Sequence, residues 1–252
     1  MNKNVIYITG AGVSTESGIP TFRGEDGFWT IGSKNFTPQD MATRKMYLSQ
    51  PDEFLLWYFK RFVSYRNIQP NTVHFWPSDK NLITQNIDGL DGKAGNKSYI
   101  PIHGRLDKIS VLHEQGISGP IEDAPWDTVI KNCKDLDHKH LLKVGLLDAF
   151  KISQSTLVPE QGVSLKPFVL LFDEYYTELY RISEAEKRMR DADFFVFMGT
   201  SFSVNVTNSA LRYALANGAS IDVVDLNPIE LGLPSLMYFP MSATDYVATR
   251  LA

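Results

Sequence analysis

VIYITGAGVSTESGIPTFRG, residues 5–24, is the stretch on which the fold turns. Its first five residues, Val5–Thr9, are β-branched or aromatic with no polar alternation, the pattern of a parallel strand buried on both faces. The run stops at Gly10 and Gly12, where a missing Cβ lets the backbone turn tightly and approach a ligand. Amides freed at such a turn and at the start of the next helix attract phosphate without a lysine. Two glycines after a strand also occur in ordinary βα turns, so Gly10 and Gly12 alone leave both readings open. The next dozen residues shift the balance. Ser14, Ser17 and Gly18, then Pro20, Phe22 and Arg23, form a polar loop with one fixed cation. Such a loop is poor core material and suits the cover of a pyrophosphate and ribose.

Working outward, strand-like runs recur at Asn81–Thr84, Phe194–Met198 and 221–224, each ending in Gly, Asn, Asp or Ser. In an open parallel sheet the ligand crevice lies beyond the carboxyl ends of the strands. GAG (10–12), TQNID (84–88), GTS (199–201) and DLNP (225–228) should therefore converge. Helical patterns fall between the strands, clearest in 173–191, where charges alternate with Tyr176, Leu179, Tyr180, Ile182 and Met189. The fold class is α/β, a Rossmann-like doubly wound parallel sheet.

Two segments break the sheet rhythm. Residues 32–71 are rich in aromatics and charges, with helical spacing through Phe54, Leu55, Trp57, Tyr58 and Phe62; residues 105–166 mix short apolar groups with loop signals such as GISGP and EDAPW. Both are expected to be insertions forming a smaller lobe, with a cleft against the larger one. The chain then reads as one catalytic domain over 1–252, with a large lobe of about 1–31, 72–104 and 167–252 and a small lobe of about 32–71 and 105–166.

Composition narrows the function classes. A chain of 252 residues with 43% hydrophobic content can bury a full core. A net charge of −4 with mixed signs provides no basic stripe for nucleic acid, so a bound nucleotide should be small. No apolar run approaches the roughly 18 residues of a membrane span, and the early strand leaves no room for a signal peptide; a cytoplasmic protein is expected. The single cysteine, Cys133, excludes an internal disulfide and a Cys-pair zinc site, and no metal is expected. His138 and His140 in DHKH read as a solvated loop, and His74 and His113 have no setting that marks them.

The opening motif, with GFW at 27–29, resembles that of the sirtuin (Sir2) family. TQNID (84–88), IHG (102–104), GTS (199–201) and VVDLNP (223–228) come next in the family's order, so the resemblance covers most of the chain. It implies an enzyme that consumes NAD to remove acyl groups from lysine of a protein or peptide, releasing nicotinamide and O-acyl-ADP-ribose. NAD hydrolysis and ADP-ribosyl transfer are the alternative activities, and a silent NAD-sensing module is the non-enzymatic one. By the resemblance His103 is the general base on a ribose hydroxyl, a role that suits an imidazole titrating near neutrality. Asn86 and Asp88 grip the nicotinamide amide, and Gln85 the adjacent ribose. Cofactor contacts are further implied for Gly10, Ala11, Gly12, Ser14, Phe22, Arg23, Ile87, Gly199, Thr200, Ser201, Asp225, Asn227 and Ala243. Asp225, at a strand end where the sirtuin pattern usually has Asn, can by analogy accept both hydroxyls of an unphosphorylated adenine ribose, which favours NAD over NADP.

Tyr58 and Arg61 are three residues apart, so in a helix they share a face on which a phenol and a guanidinium can hold a carboxylate. The segment around them is similar to the sirtuin subclass that removes succinyl and malonyl groups. The competing reading is an amphipathic helix with Arg61 solvated. Phe172 is the implied wall of the peptide groove.

Further departures from the family pattern leave the NAD site intact and bear on the acceptor. The zinc-ribbon cysteines are absent, so hydrophobic packing is expected to hold the small lobe. Asp91 stands where a His is frequent, and FDE (172–174) replaces FGE, which is expected to put the charge of Asp173 beside the substrate.

Overall fold

A computed structural model describes residues 4–21, 36–77, 80–117, 119–233 and 236–251. Phe22, Arg23 and the GFW at 27–29 lie outside these described residues. The strands are β1 (Val5–Thr9), β2 (Asn81–Thr84), β3 (Ile100–Pro101), β4 (Gly104–Val111), β5 (Glu122–Asp123), β6 (Leu165–Val169), β7 (Phe194–Met198), β8 (Ser220–Asp225) and β9 (Leu236–Pro240). The helices are α1 (Pro38–Met41), α2 (Arg44–Ser49), α3 (Pro51–Tyr65), α4 (Thr72–Phe75), α5 (Leu90–Lys93), α6 (Trp126–Asn132), α7 (Lys139–Ala149), α8 (Ile182–Arg190), α9 (Asn205–Ala216) and α10 (Ala243–Leu251). The chain divides into two compact units, one of Met1–Gly24, Ile68–Ile102 and Arg181–Ala252, the other of Glu25–Asn67 and His103–Tyr180.

The first unit is built on a parallel six-stranded sheet of order β3-β2-β1-β7-β8-β9. Its central strands are nearly continuous apolar runs because both faces are covered: Ile6, Ile8, Leu82, Ile83, Phe195, Phe197 and Val223 are all buried. Tyr7, Val13, Val73, Leu82, Tyr99, Val196, Met198, Val224, Tyr246 and Val247 form one continuous core. The one buried carboxylate in β8, Asp222, is met by Tyr246 Oη at 2.6 Å and Arg250 Nη2 at 3.0 Å, so its charge is paired where it sits. The strand order reverses between β1 and β7, the point at which open sheets of this class bind ligands.

The second unit centres on the antiparallel sheet β5-β4-β6 and the packed helices α3, α6 and α7. Trp126 of α6 is its keystone: fully buried, it packs against Phe59 and Phe62 of α3 and against Phe150, and its Nε1 donates to Leu106 O at 2.7 Å. Burying an indole of this size with its polar handle satisfied supplies much of the apolar area a small unit needs. Among the described residues no group of three His, Cys, Asp or Glu side chains could hold a metal ion.

The contact division returns to the first unit at Arg181 rather than near 167, because β6 pairs antiparallel with β4. The helix read over 173–191 begins only at Ile182, after Arg181 in the left-handed conformation (φ 57°). Residues 173 and 174 are drawn out of helical geometry by their carboxylates, which bind the N-terminus of α2 and Lys166. No helix among the described residues is long and apolar enough to cross a membrane.

Candidate active site

At the carboxyl ends of β1 and β7 three glycines let two loops touch. Gly10 N donates to Met198 O and Gly12 N to Gly199 O, both at 3.0 Å. A Cβ on Gly10 would lie 2.6 Å from Gly199 O, and one on Gly12 2.6 Å from Gly199 Cα. Gly199 itself sits at φ +59°, so the GAG and GTS motifs require glycine for each other's approach. After Gly10 the chain enters a 3-10 helix, Ala11–Ser17, that closes on Gly18 in the left-handed conformation.

The TQNID side chains lock onto this frame. Gln85 Nε2 donates to Thr9 O and to Thr200 Oγ1, both at 3.1 Å, while Gln85 N continues the β1 pairing through Thr9 O. Asn86 Nδ2 donates to Gly10 O and to Ser14 Oγ, again at 3.1 Å each. A carbonyl only accepts, so Gly10 O settles which end of the amide is nitrogen. Asn86 Oδ1 is then left buried with no hydrogen-bond partner among the described residues. Ser14, 1% exposed, donates to Asp88 Oδ2 at 2.7 Å, and Leu90 N donates to Asp88 Oδ1 at 2.9 Å.

Proton counting extends this cluster to His74, which carries no motif in the sequence. Ser14 Oγ spends its one proton on Asp88 and accepts one bond from Asn86, so at 3.3 Å its remaining lone pair faces an N–H on His74 Nε2. His74 Nδ1 lies 3.2 Å from Asn71 N and 2.9 Å from Asn71 Oδ1, so Asn71 holds the other side of the ring. Burial holds the imidazole below its usual titration range, against the opposing pull of Asp88. The signal that could have found it is the spacing: Asn71 caps α4, and the residue at its third position is His74.

Asp91 is buried beside the same cluster. Burial and the Asp88 charge push its carboxyl up to about 8, with a hydrogen bond to Thr84 opposing them. Thr84 Oγ1 in turn accepts from Asn86 N at 3.2 Å. Burial thus favours the protonated form of Asp91, in the position where the family pattern often has a His.

Among the remaining predicted residues of the first unit, Ser201, Asp225 and Asn227 are more open. Asp225 Oδ1 accepts from Asn227 N at 2.9 Å, and Ser201 Oγ bonds Ser203 Oγ at 2.7 Å. Ile87 and Thr200 are buried, Ala11 is half-buried, and Ala243 opens α10.

In the second unit, His103 is the turn residue just before β4. Its neighbour Gly104, at φ +82°, leaves no room for a side chain: a Cβ would stand 2.0 Å from Phe168 O. Leu170 N donates to His103 O at 2.9 Å, and His103 Nε2 lies 2.9 Å from Tyr176 Oη, the two rings stacked at 5.9 Å between centroids.

Tyr58 and Arg61 are both buried in α3, Arg61 only 1% exposed, so the solvated alternative for Arg61 does not hold. Its guanidinium lies 3.3 Å over the Trp57 ring and donates to Trp57 O at 2.9 Å. Burial lowers the Arg61 group to about 9, with Tyr58 and Tyr65 opposing the shift, and raises the Tyr58 phenol above its usual range. Phe172 is 56% exposed, and its backbone N–H donates to Ala42 O. Asp173 does not stand as a loose charge: its carboxylate accepts from Arg44 N at 2.6 Å and Lys45 N at 3.0 Å and caps α2.

Comparison with known proteins identifies the family. The profile of the Sir2 family matches residues 10–206. The chain is 31% identical over 252 residues to an NAD-dependent protein deacylase of Aquifex aeolicus, covering 96% of this chain and 92% of that protein. It is 30% identical over 250 residues to an NAD-dependent protein deacylase of Thermus thermophilus, at 95% and 85% coverage. Among solved structures, one from a study of the mechanism and regulation of Sir2 enzymes superposes with a TM-score of 0.72 at 25% identity, covering 99% of this chain and 94% of that one. A complex of Sir2, p53 peptide and NAD+ superposes with a TM-score of 0.71 at 22% identity, at 98% and 91% coverage.

Proposed function

The chain belongs to the Sir2 family, and from that premise we propose that it is an NAD-dependent protein-lysine deacylase whose nicotinamide site is the Ser14–Asn86–Asp88 cluster. The observation that carries the site is Asn86 Oδ1. A buried acceptor with both amide protons of its own side chain committed elsewhere suits the N–H of a carboxamide, the group nicotinamide presents. Bound NAD supplies an electrophilic ribose carbon once nicotinamide leaves. Asp88, held by Ser14 and Leu90 N, keeps a fixed carboxylate near that side of the site without reorganising. Gln85 and Thr200 fix the loop that carries Asn86. Asp225 keeps Oδ2 for a ribose hydroxyl, and His103 is the base that takes a ribose proton.

Tyr58 and Arg61 favour an acyl group that ends in a carboxylate. Both side chains are buried on one helix, where a phenol and a guanidinium can together hold the carboxylate of a succinyl or malonyl terminus. Acetyl-lysine would be the poorer substrate. We place the enzyme in the cytoplasm, where a single reduced cysteine such as Cys133 is at home.

The test is a product analysis with NAD and matched acetyl-, malonyl- and succinyl-lysine peptides. Peptide-dependent O-acyl-ADP-ribose supports the deacylase. Free ADP-ribose formed equally without peptide makes the chain an NAD glycohydrolase, ADP-ribosylated peptide makes it a transferase, and NAD binding without turnover makes it a sensing module.

A further inference from the structure

We propose that Tyr176 is a positioning residue for the base His103, its phenol fixing the plane and proton placement of the imidazole. The inference rests on the deacylase reading above, in which His103 takes a ribose proton. A histidine base works when a third group orients it, and here the group within reach of Nε2 is a phenol at 2.9 Å, with the rings inclined by only 19°. Phenol both donates and accepts, so it serves Nε2 bare or protonated, which a carboxylate or carbonyl would not.

The phenol is itself held. Tyr176 comes at the end of a segment tied down almost residue by residue: Leu170 N to His103 O at 2.9 Å, Leu171 N to Glu174 Oε2 at 3.1 Å, Phe172 N to Ala42 O at 3.0 Å and Tyr175 N to Gln115 Oε1 at 3.0 Å. The Asp173 carboxylate caps α2, and Glu174 is gripped by Arg44 Nη1 and Lys166 Nζ, each at 3.1 Å. Lys166 is buried, and its Nζ also donates to Val169 O at 2.9 Å, so the amine that holds Glu174 is itself fixed to β6. The segment that carries the phenol therefore also holds the His103 carbonyl through Leu170, and base and orienter share one support. The exchange of Gly for Asp at 173 then has a use: an added cap on the segment that ends in Tyr176.

Tyr176→Phe keeps the ring and removes only the oxygen. We expect kcat for deacylation to fall about tenfold, the worth of one oriented hydrogen bond, with KM for NAD unchanged within twofold. Exchange of labelled nicotinamide into NAD, which precedes the base step, should keep its wild-type rate. In a double-mutant cycle His103→Ala/Tyr176→Phe should be no slower than His103→Ala alone. Unchanged or increased kcat in Tyr176→Phe, equal losses in deacylation and exchange, or additive losses in the double variant would each overturn the assignment. A wild-type enzyme without NAD-dependent deacylation would instead overturn the functional reading on which it rests.

Discussion

The two units hold their functional groups on different frames, one a parallel sheet and the other an antiparallel one. In the first, Ser14, Gln85, Asn86 and Asp88 project from loops that leave neighbouring parallel strands at the same edge of one sheet, and they bond mainly to one another and to those loops. In the second, His103 and Tyr176 meet because an antiparallel pair and a set of side-chain bonds spanning more than a hundred residues bring distant segments together, as in Arg44 to Glu174 and Tyr47 Oη to Leu165 O. A parallel strand end delivers its motif wherever the sheet forms. The antiparallel unit relies in addition on side-chain ties between segments that no shared strand edge brings together.

The largest effect expected from breaking either half is at the base. His103→Ala should cost about 10²–10⁴-fold in O-acyl-ADP-ribose formation while NAD affinity and nicotinamide exchange persist, because a base acts on the transition state. Joint loss of exchange and deacylation would mean that the two halves are not separable in function.

Asp91→Asn sharpens the comparison within the first unit. The folded Asp91 carboxyl titrates near 8 against 3.8 for an ordinary one, so the folded state holds a proton that the unfolded chain has lost between those values. Stability therefore falls as pH rises through that window and stays reduced above it. The Asn variant escapes this penalty: it should match wild type near pH 4 and exceed it by a few kcal/mol near pH 8.5 in urea unfolding. A difference that does not grow with pH would place an ionised carboxylate at 91.

Gly104→Ala probes the antiparallel unit in the same way. A methyl 2.0 Å from Phe168 O at φ +82° must push β4 off β6, at a cost of at least about 2 kcal/mol. Denaturation with a midpoint equal to wild type would show that the pairing tolerates it.

The smallest expected change is in selectivity. Arg61→Met should lower kcat/KM for succinyl-lysine about tenfold more than for acetyl-lysine, the discrimination of one charge-assisted contact. Equal losses would make Arg61 a packing residue of α3 against Trp57, with no part in acyl choice.

From sequence alone came the strands β1, β2 and β7 to the residue, the parallel class of the sheet and the glycines of GAG and GTS, because buried parallel strands are short apolar runs ended by turn residues. These features are local or repeat locally. What only the tertiary structure decided was which distant groups complete them. Gly10 and Gly12 are small because Gly199 touches them; His74 matters because Ser14 reaches it across sixty positions; Asp173 is a helix cap; Tyr176, counted as one apolar position in a helix, is a partner of His103. A hydrogen bond needs its two ends within about 3 Å, and nothing in the periodicity of either segment encodes that distance before the chain has folded.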